Sequence, residues 1–269
     1  MHNARPLLPW PLRWLWRILV AFLVLLLFCA FAGFIYENIS ETRDRRFHRM
    51  PGTLVDVGGR KMHIDCVGQG IPTVILESGL GDSYASWSRV QPEIARFARV
   101  CSYDRAGLGY SDSTSEPRTS EVMARQLHEL LRAGQVSPPY VLAGHSMGGY
   151  NVRLYASLYP SEVAGMVLVD ASHPDQDKRF PVELKKLEGS WDREAQLFAF
   201  AVPFGLPRLL GMCDEDAASR AAGCNWNSAR ETVAEMKAFP QSAAQAAKTG
   251  PFGDLPLAVL SHDPEKPSS

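Results

Sequence analysis

The sequence predicts an α/β fold, a mostly parallel sheet with helices on both faces, preceded by one membrane-spanning helix. Short apolar runs alternate with stretches of helical spacing between residues 52 and 172, and this alternation is typical of parallel sheets. One uncharged run of nineteen residues lies near the N-terminus. The composition suits a folded domain with one large core, since 46% of the 269 residues are hydrophobic and 21% are charged.

The uncharged run, Ile18 to Tyr36, is long enough to cross about 30 Å of hydrocarbon as a helix. Residues 1–17 form a leader with three arginines and three tryptophans, which are typical flanks of a membrane span. This leader favours a cytoplasmic N-terminus and an extracytoplasmic domain, although the four arginines between residues 43 and 49 weaken that orientation. Residues 37–51 are charged and polar and are interpreted as a linker.

A cleaved export signal is the alternative interpretation of the same run. Ala30-Phe31-Ala32 offers a cleavage site for signal peptidase, and the mature protein would then be secreted. The run is longer than the apolar core of about 7–15 residues that signal peptides have. Its length therefore favours an uncleaved anchor.

Charge and cysteine usage exclude several classes of function. The net charge of −1 provides no basic field for nucleic acid. No cysteine or histidine spacing resembles a zinc site, so neither a metal nor another cofactor is expected. Cys213 and Cys224 stand in a polar, loop-like stretch that suits a disulfide outside the cytosol, whereas Cys66 and Cys101 fit either a bridge or two buried thiols.

The elements of the α/β core follow one another from residue 52. The stretch “GTLVDVGGRKMHIDCVG” (52–68) alternates on both sides of two glycines and predicts a hairpin. Continuous apolar runs predict buried strands over 73–78, 98–104, 140–146 and 164–172. Helical spacing predicts helices over 120–134, from Ser120 to Gly134, and over 149–160, which ends at a proline.

Residues 173–250 break this alternation, because they contain several helical stretches and no clear strand. The run “DLPLAVLSHD” then predicts a further buried strand at 254–263. We therefore expect a helical cap over 173–250, inserted into a core of residues 52–172 and 251–269. The apolar cap stretch “AQLFAFAVPFGLPRLLG” (195–211) is expected either to line a site above the sheet or to pack down on the sheet.

The sequence Gly144-His145-Ser146-Met147-Gly148 joins a predicted strand to a predicted helix. A strained turn at this junction exposes a serine hydroxyl at the carboxyl edge of the sheet, and it needs small residues two positions before and after the serine. The helix N-terminus behind the serine favours developing negative charge. The pattern indicates a nucleophile; a structural glycine-rich turn with an idle serine is the alternative.

The motif “GHSMGG”, with “YDRAGLGYSD” (103–112) and “LYASLYPSEVAGMVLVD” (154–170), resembles the α/β-hydrolase fold family, specifically its capped, esterase-like bacterial branch. The resemblance covers about residues 52–263. It implies a serine hydrolase that acts on an ester or related acyl substrate through an acyl-enzyme, without a cofactor. Relatives that hydrolyse epoxides or remove halogens have an aspartate nucleophile, so Ser146 argues against both activities. The resemblance also implies an architectural role for Asp104 and Arg105.

The same resemblance implies an oxyanion hole made of two backbone N–H groups. One is the N–H of Met147 and the other is that of Leu80, in the loop “ESGLGDS” (77–83). Family members commonly have histidine where this sequence has Ser78. The departure puts the support of the loop in question more than its donor.

The acid that orients the catalytic base is expected at Asp263, just after the last strand-like run. Asp170, which ends the earlier strand, and Glu265 are the alternatives. The chain order of the family is serine, acid, histidine. The histidine should follow one further strand, but only His173 and His262 follow Ser146, and neither occupies that place.

The sequence therefore predicts a C-terminally truncated hydrolase whose last strand, last helix and catalytic histidine are absent. Loss of a triad member typically lowers the rate by several powers of ten. The alternative function is that of a catalytically inactive, membrane-anchored hydrolase-like protein. A hydrophobic ester presented near a bilayer is the expected small-molecule substrate.

Overall fold

A single seven-stranded sheet organises the computed structural model, which describes residues 10–179, 182–213 and 216–261. The strand order is β1-β2-β4-β3-β5-β6-β7. β1 pairs antiparallel with β2, and β2 pairs antiparallel with β4, whereas the remaining pairs are parallel. The strands are β1 (Thr53–Asp56), β2 (Lys61–Val67), β3 (Thr73–Glu77), β4 (Val100–Tyr103), β5 (Tyr140–His145), β6 (Val163–Val169) and β7 (Leu257–Leu260).

Nine helices and three 3₁₀ turns are formed by the same described residues. The helices are α1 (Trp10–Phe47), α2 (Gln91–Ile94), α3 (Ser120–Ala133), α4 (Gly148–Leu158), α5 (Gln176–Arg179), α6 (Val182–Ala201), α7 (Leu206–Leu209), α8 (Ala217–Gly223) and α9 (Trp226–Ala246). The 3₁₀ turns are Tyr84–Trp87, Pro160–Glu162 and Val202–Phe204. The predicted α/β architecture, including the helices between β6 and β7, is confirmed.

The central parallel strands β3, β4 and β5 are buried because helices cover both faces of the sheet there. The expected burial of the last strand is wrong, because β7 pairs with β6 at the edge of the sheet and is exposed at all four residues. Ile75 of β3 and Leu142 of β5 are fully buried, as the continuous apolar runs predict. The amphipathic helix α3 turns Leu127 and Leu130 into the same core, where they meet α4. Gly134 follows the last residue of α3 and donates its N–H to the Leu130 carbonyl, so the predicted helix end is also correct.

Helix α1 is the one described helix that is long and apolar enough to cross a membrane. It runs without interruption to Phe47, which differs from the linker expected over residues 37–51. The physical reason is tertiary contact, since Glu37, Ser40 and Asp44 are buried even though they are polar. The charged residues after the apolar run therefore continue the helix instead of forming a solvated connection.

The helices between β6 and β7 stack in two layers above the core. Helix α9 packs against α3 and α4, and α6 packs against α9. The apolar stretch 195–211 contributes the buried Ala199 and Val202 to the contact with α9. Its larger side chains, including Leu197, Phe200 and Leu209, are exposed. Neither expectation for this stretch, a lining above the sheet or packing on the sheet, describes these exposed side chains.

Two disulfides join the four cysteines outside α1. Cys66 and Cys101 face each other across the β2–β4 pair and are bonded. Cys213 and Cys224 are bonded within the helical region, as the sequence predicts. Cys29 remains a free and exposed thiol in the apolar run of α1.

Asp104 organises the turn that follows β4. Its carboxylate accepts the backbone N–H groups of Tyr84 and Tyr110 at 2.8 and 3.0 Å. It also lies 2.7 Å from Nδ1 of the fully buried His63. Nε2 of His63 lies 2.8 Å from the Pro51 carbonyl, so both ring nitrogens face acceptors and the imidazolium satisfies both. The architectural role implied for Asp104 agrees with these contacts.

The charged state of His63 makes stability depend on pH. Burial alone would lower the pKa of His63, but hydrogen bonding and attraction to Asp104 outweigh burial and raise the pKa above its usual value. A raised pKa stabilises the fold fully below the ordinary histidine pKa, and this stabilisation is lost as pH rises through the raised value.

We predict that His63→Gln lowers Tm more at pH 6 than at pH 9. At pH 6 the substitution removes a buried ion pair, whereas at pH 9 the wild-type pair is itself weakened. Thermal unfolding of the full chain in detergent measures the difference, with the exposed His173→Gln as control. Equal Tm losses at both pH values would contradict a charged His63.

Candidate active site

Ser146 occupies a tight turn between β5 and α4. Its φ of +50° lies in the left-handed region, which L side chains rarely adopt. A Cβ on Gly144 would lie 2.6 Å from the Gly148 carbonyl oxygen, and a Cβ on Gly148 would lie 2.6 Å from the Glu77 carbonyl oxygen. Both small residues are therefore required by contact, and the turn leaves Ser146 half-buried rather than enclosed.

Hydrogen bonds on both sides hold this strained turn. The Ser146 N–H donates to the Val169 carbonyl at 3.2 Å. The Ser146 carbonyl accepts the N–H groups of Gly149 and Ser172 at 3.0 and 2.9 Å. Met147 stands at the start of α4, where backbone N–H groups lack intrahelical acceptors. The turn thus brings a hydroxyl and a helix N-terminus to one edge of the sheet.

The loop after β3 packs directly against this turn. A Cβ on Gly79 would lie 3.0 Å from the His145 ring, and one on Gly148 would lie 2.7 Å from the Ser78 carbonyl oxygen. The Ser78 hydroxyl donates to the Ser83 carbonyl at 3.0 Å. The Ser78 side chain therefore joins the two ends of the loop. This hydrogen bond supports the loop although a histidine is not present at position 78.

Arg105 fixes the orientation of the peptide groups in that loop. Its guanidinium donates to the Ser78 and Gly79 carbonyls at 2.8 and 2.6 Å. In a trans peptide the C=O and N–H point in opposite directions. Because the Gly79 carbonyl points at Arg105, the N–H of Leu80 points to the opposite side of the loop.

A buried ion network extends from Arg105 into the helical region. Arg105 contacts Glu77 at 2.7 Å and contacts both carboxylate oxygens of Glu235 at 2.8 Å. Arg118 contacts Glu235 at 2.9 Å, and these four side chains are at most 3% exposed. The N–H of Gly81 donates to Glu235 at 2.9 Å. Glu235 of α9 therefore binds both the loop after β3 and the arginine that orients it.

The pKa shifts in the network follow from ion pairing between buried side chains. Burial would raise the pKa of Glu235, but attraction to Arg105 and the hydrogen bonds from Arg105 outweigh burial and lower it. Burial would likewise lower the pKa of Arg105, yet Glu235 and Glu77 raise it well above its usual value. Tyr103 donates its hydroxyl to Glu77, and burial raises the pKa of Tyr103. Glu235 and Arg105 are therefore held in their ionised forms, whereas Tyr103 keeps its proton.

Sequence reasoning did not find this network. Glu77 ends a buried apolar strand, where a charge is unusual and is a signal that a partner exists. Glu235 gives no such signal, since it stands in a helix rich in charged residues and lies 130 residues from Arg105. Arg105 itself was expected to be architectural, and its contacts agree.

Asp170 lies beside Ser146 at the carboxyl edge of the sheet. It follows β6, the direct neighbour of β5, and the preceding residue Val169 accepts the Ser146 N–H. Its φ of +43° is a second left-handed conformation at this edge, and its N–H donates to the Leu260 carbonyl at the end of β7. Asp263, Glu265 and His262 lie outside the described residues.

His173 belongs to the loop that holds the Ser146 carbonyl. Its carbonyl accepts the Tyr150 hydroxyl at 2.9 Å. Its Nδ1 accepts the Asp175 N–H at 3.0 Å, so a neutral ring carries its proton on Nε2. In this arrangement neither nitrogen of His173 is free to accept the Ser146 proton. His145 packs its ring edge-on against Trp87, with ring centroids 6.4 Å apart. Among the described residues no cluster of three His, Cys, Asp or Glu side chains could hold a metal ion.

We predict that Glu235→Gln destabilises the fold by about 3 kcal/mol or more, because it leaves two buried arginines short of negative charge. This corresponds to a fall in Tm of roughly 6–12 °C for a domain of this size. Thermal unfolding in detergent measures the effect. Glu129→Gln, an exposed substitution on α3, is the matched control, and a Tm change no larger than that of the control would contradict the network's role.

Comparison with known proteins agrees with the fold. Residues 72–202 match the sequence family described as alpha/beta hydrolase fold. The protein YbdG of Bacillus subtilis is 28% identical over 171 residues, which are 61% of this chain and 53% of YbdG. The chain spans about half, or less, of the length of the curated relatives it matches, with 53%, 41% and 33% for three of them.

Solved structures of low sequence identity share the architecture. A candidate epoxide hydrolase from Pseudomonas aeruginosa has a TM-score of 0.63 at 18% identity, covering 81% of this chain and 80% of that chain. A candidate lipase, Lip1, from Acinetobacter baumannii has a TM-score of 0.57 at 19% identity, covering 84% of this chain and 88% of that chain. With the sheet order, the Ser146 turn and the match of residues 72–202, these likenesses lead to one conclusion: the chain has the α/β-hydrolase fold.

Proposed function

We propose that the protein is a serine hydrolase of carboxylesterase type, which cleaves an ester or related acyl substrate through an acyl-enzyme. The observation that carries the proposal is the strained turn of Ser146, held between Gly144 and Gly148 where larger residues collide. Backbone strain of this kind is retained at functional sites. The candidate lipase among the structural neighbours agrees with an ester substrate. The candidate epoxide hydrolase has the same fold, so the fold by itself does not identify the substrate.

The proposed reaction begins when Oγ of Ser146 attacks the carbonyl carbon of the substrate. The carbonyl oxygen becomes an oxyanion, which the N–H groups of Met147 and Leu80 are proposed to bind. The N-terminus of α4 adds its partial positive charge at Met147. Collapse of the intermediate expels the alcohol and leaves Ser146 acylated, and water then releases the acid. A general base must accept the Ser146 proton and pass it to the leaving alcohol.

The acid that orients this base is proposed to be Asp263, with Asp170 as the alternative. Asp170 has support from the described residues, because its strained backbone adjoins the residue that holds the Ser146 N–H. Its position after β6 places it one strand from the nucleophile. Substitution of each carboxylate separates the two assignments.

The location of the protein is proposed to be a membrane, with α1 as an uncleaved anchor and the hydrolase domain outside the cytoplasm. The length and hydropathy of α1 support the anchor. Two disulfides support an oxidising compartment for the domain, since such bonds are rare in the cytosol. A hydrophobic ester is the substrate class that suits an enzyme held at a bilayer. Cleavage of the run as an export signal is the alternative.

A second function, a catalytically inactive anchored protein of the same fold, is favoured by the arrangement of His173. Its Nδ1 is engaged by the Asp175 N–H. Covalent labelling of Ser146 distinguishes the two functions, because only an activated hydroxyl reacts rapidly with an electrophilic phosphorus probe.

We predict that a fluorophosphonate probe labels Ser146 of the full chain and that Ser146→Ala abolishes the labelling. Mass spectrometry of the labelled peptide measures the site. Ser172→Ala is the matched control, because Ser172 contacts Ser146 through its backbone N–H, which alanine keeps. Absence of labelling in the wild-type chain would overturn the hydrolase proposal and support the inactive protein.

We predict that, where a general base accepts the Ser146 proton, replacing the acid that orients this base by asparagine lowers the rate of hydrolysis of a p-nitrophenyl ester by about 10³–10⁴-fold. Asp263→Asn and Asp170→Asn are compared in the same assay. Asp254→Asn, an exposed substitution just before β7, is the control. Loss with Asp170→Asn alone would move the assignment from Asp263 to Asp170.

A further inference from the structure

One face of α1, which begins inside the last turn of the apolar run and continues past its end, docks on the helical region. Gly33, Glu37, Ser40 and Asp44 recur at intervals of four, three and four residues, so they share this face. A Cβ on Gly33 would lie 2.2 Å from the Phe204 carbonyl oxygen, which makes Gly33 the point of closest approach. The three polar residues of this face are at most 8% exposed.

Arg208 of α7 forms ion pairs with two residues of this face. Its guanidinium lies 3.1 Å from each carboxylate oxygen of Glu37 and also contacts Asp44. It donates in addition to the Cys224 carbonyl at 3.2 Å. Arg208, Glu37 and Asp44 are all nearly excluded from solvent. A buried pair of this kind keeps the two helices in one fixed relation, since separation would leave unpaired charges.

The contact between α1 and residues 204–208 fixes the position of α7 along the axis of α1. Gly33 lies within the uncharged run, and Tyr36, which contacts Gly205, is its last residue. At 1.5 Å per residue the docking face spans about 16 Å along α1, and its first contact lies about 4–5 Å inside the run. The segment 204–206 is therefore level with the last turn of the apolar part of α1.

Exposed apolar side chains lie before and after segment 204–206 in the chain. Leu197, Phe200, Leu206, Leu209 and Leu210, which we name the cap patch, are between 48% and 69% exposed. Leu197, Leu206 and Leu210 line a groove of about 280 Å³. Contiguous exposed apolar surfaces of this kind mark contact sites. Leu206 of the cap patch directly follows Gly205, which contacts Tyr36 at the end of the apolar run of α1.

We propose that the cap patch lies in the interface of the lipid bilayer beside α1. This inference rests on the proposed membrane anchor and goes beyond the proposed hydrolase activity. Lipid is the occupant that the structure favours, because the docking of α1 places the patch at the end of the span, where any inserted helix meets the acyl-chain boundary. Amphipathic surfaces at this depth bind the bilayer by burying their apolar side chains.

The experiment uses the full chain in phosphatidylcholine vesicles, with an environment-sensitive nitrobenzoxadiazole label on one cysteine at a time. Native Cys29 reports on α1. Leu209→Cys and Leu210→Cys, each with Cys29→Ser, report on the cap patch, and Glu129→Cys in the same background is the exposed control on the core. Quenching by lipids that carry a nitroxide on the acyl chain is compared with quenching by aqueous iodide.

The proposal expects labels at positions 209 and 210 to lose about half of their fluorescence to nitroxide lipids, while the label at position 129 responds only to iodide. It is overturned if the Cys29 label is quenched by lipid and the patch labels respond only to iodide. It is also overturned if the patch labels self-quench as the protein-to-lipid ratio rises, because a second copy then covers the patch. If Cys29 itself escapes lipid quenching, the anchor fails and the patch proposal fails with it.

Discussion

The pairing of Arg105 with Glu77 and Glu235 is the interaction on which the arrangement of the site depends. Buried charges are tolerated only when partners surround them, so the end of β3, the turn after β4 and helix α9 must come together for any of them to be buried. The same guanidinium orients the carbonyls of Ser78 and Gly79. The Ser146 turn packs on these peptides through Gly148. The position of the Ser146 turn at the carboxyl edge of the sheet therefore depends on an ion network that acts through the loop after β3 and not through direct contact with Ser146.

A second buried cluster consists of Arg208, Glu37 and Asp44, and it holds the helical region against α1. One cluster ties this region to the sheet and the other ties it to α1. Because both are desolvated, sliding at either contact would expose unpaired charges, and the region between them is held from both sides. A movement of the helices between β6 and β7 would have to disturb the contact of α9 with Arg105 or the contact of Arg208 with α1.

The sequence predicted those parts of the fold that local pattern determines. Continuous apolar runs located the parallel strands, and the spacing of Gly144 and Gly148 located the turn, because both follow from short-range sterics and burial. The two ion clusters were missed, since Arg105 and Glu235 are 130 residues apart and Glu37 and Arg208 are 171 apart. Charges that recur every three or four residues look solvated until their partners are known. The interpretation of residues 37–51 as a linker is for that reason wrong up to Phe47, where α1 ends.

Strain at the edge of the sheet fixes the position of the serine hydroxyl on which the proposed hydrolase activity depends. Left-handed backbone at Ser146 persists because the Val169 carbonyl and the N–H groups of Gly149 and Ser172 hold the turn on both sides. A carboxylate placed there could attack a substrate without losing a proton. A hydroxyl must transfer its proton as it attacks. The identity of the side chain thus ties activity to a proton acceptor within hydrogen-bond reach of Oγ, and this requirement distinguishes a working hydrolase from a binding protein of the same fold.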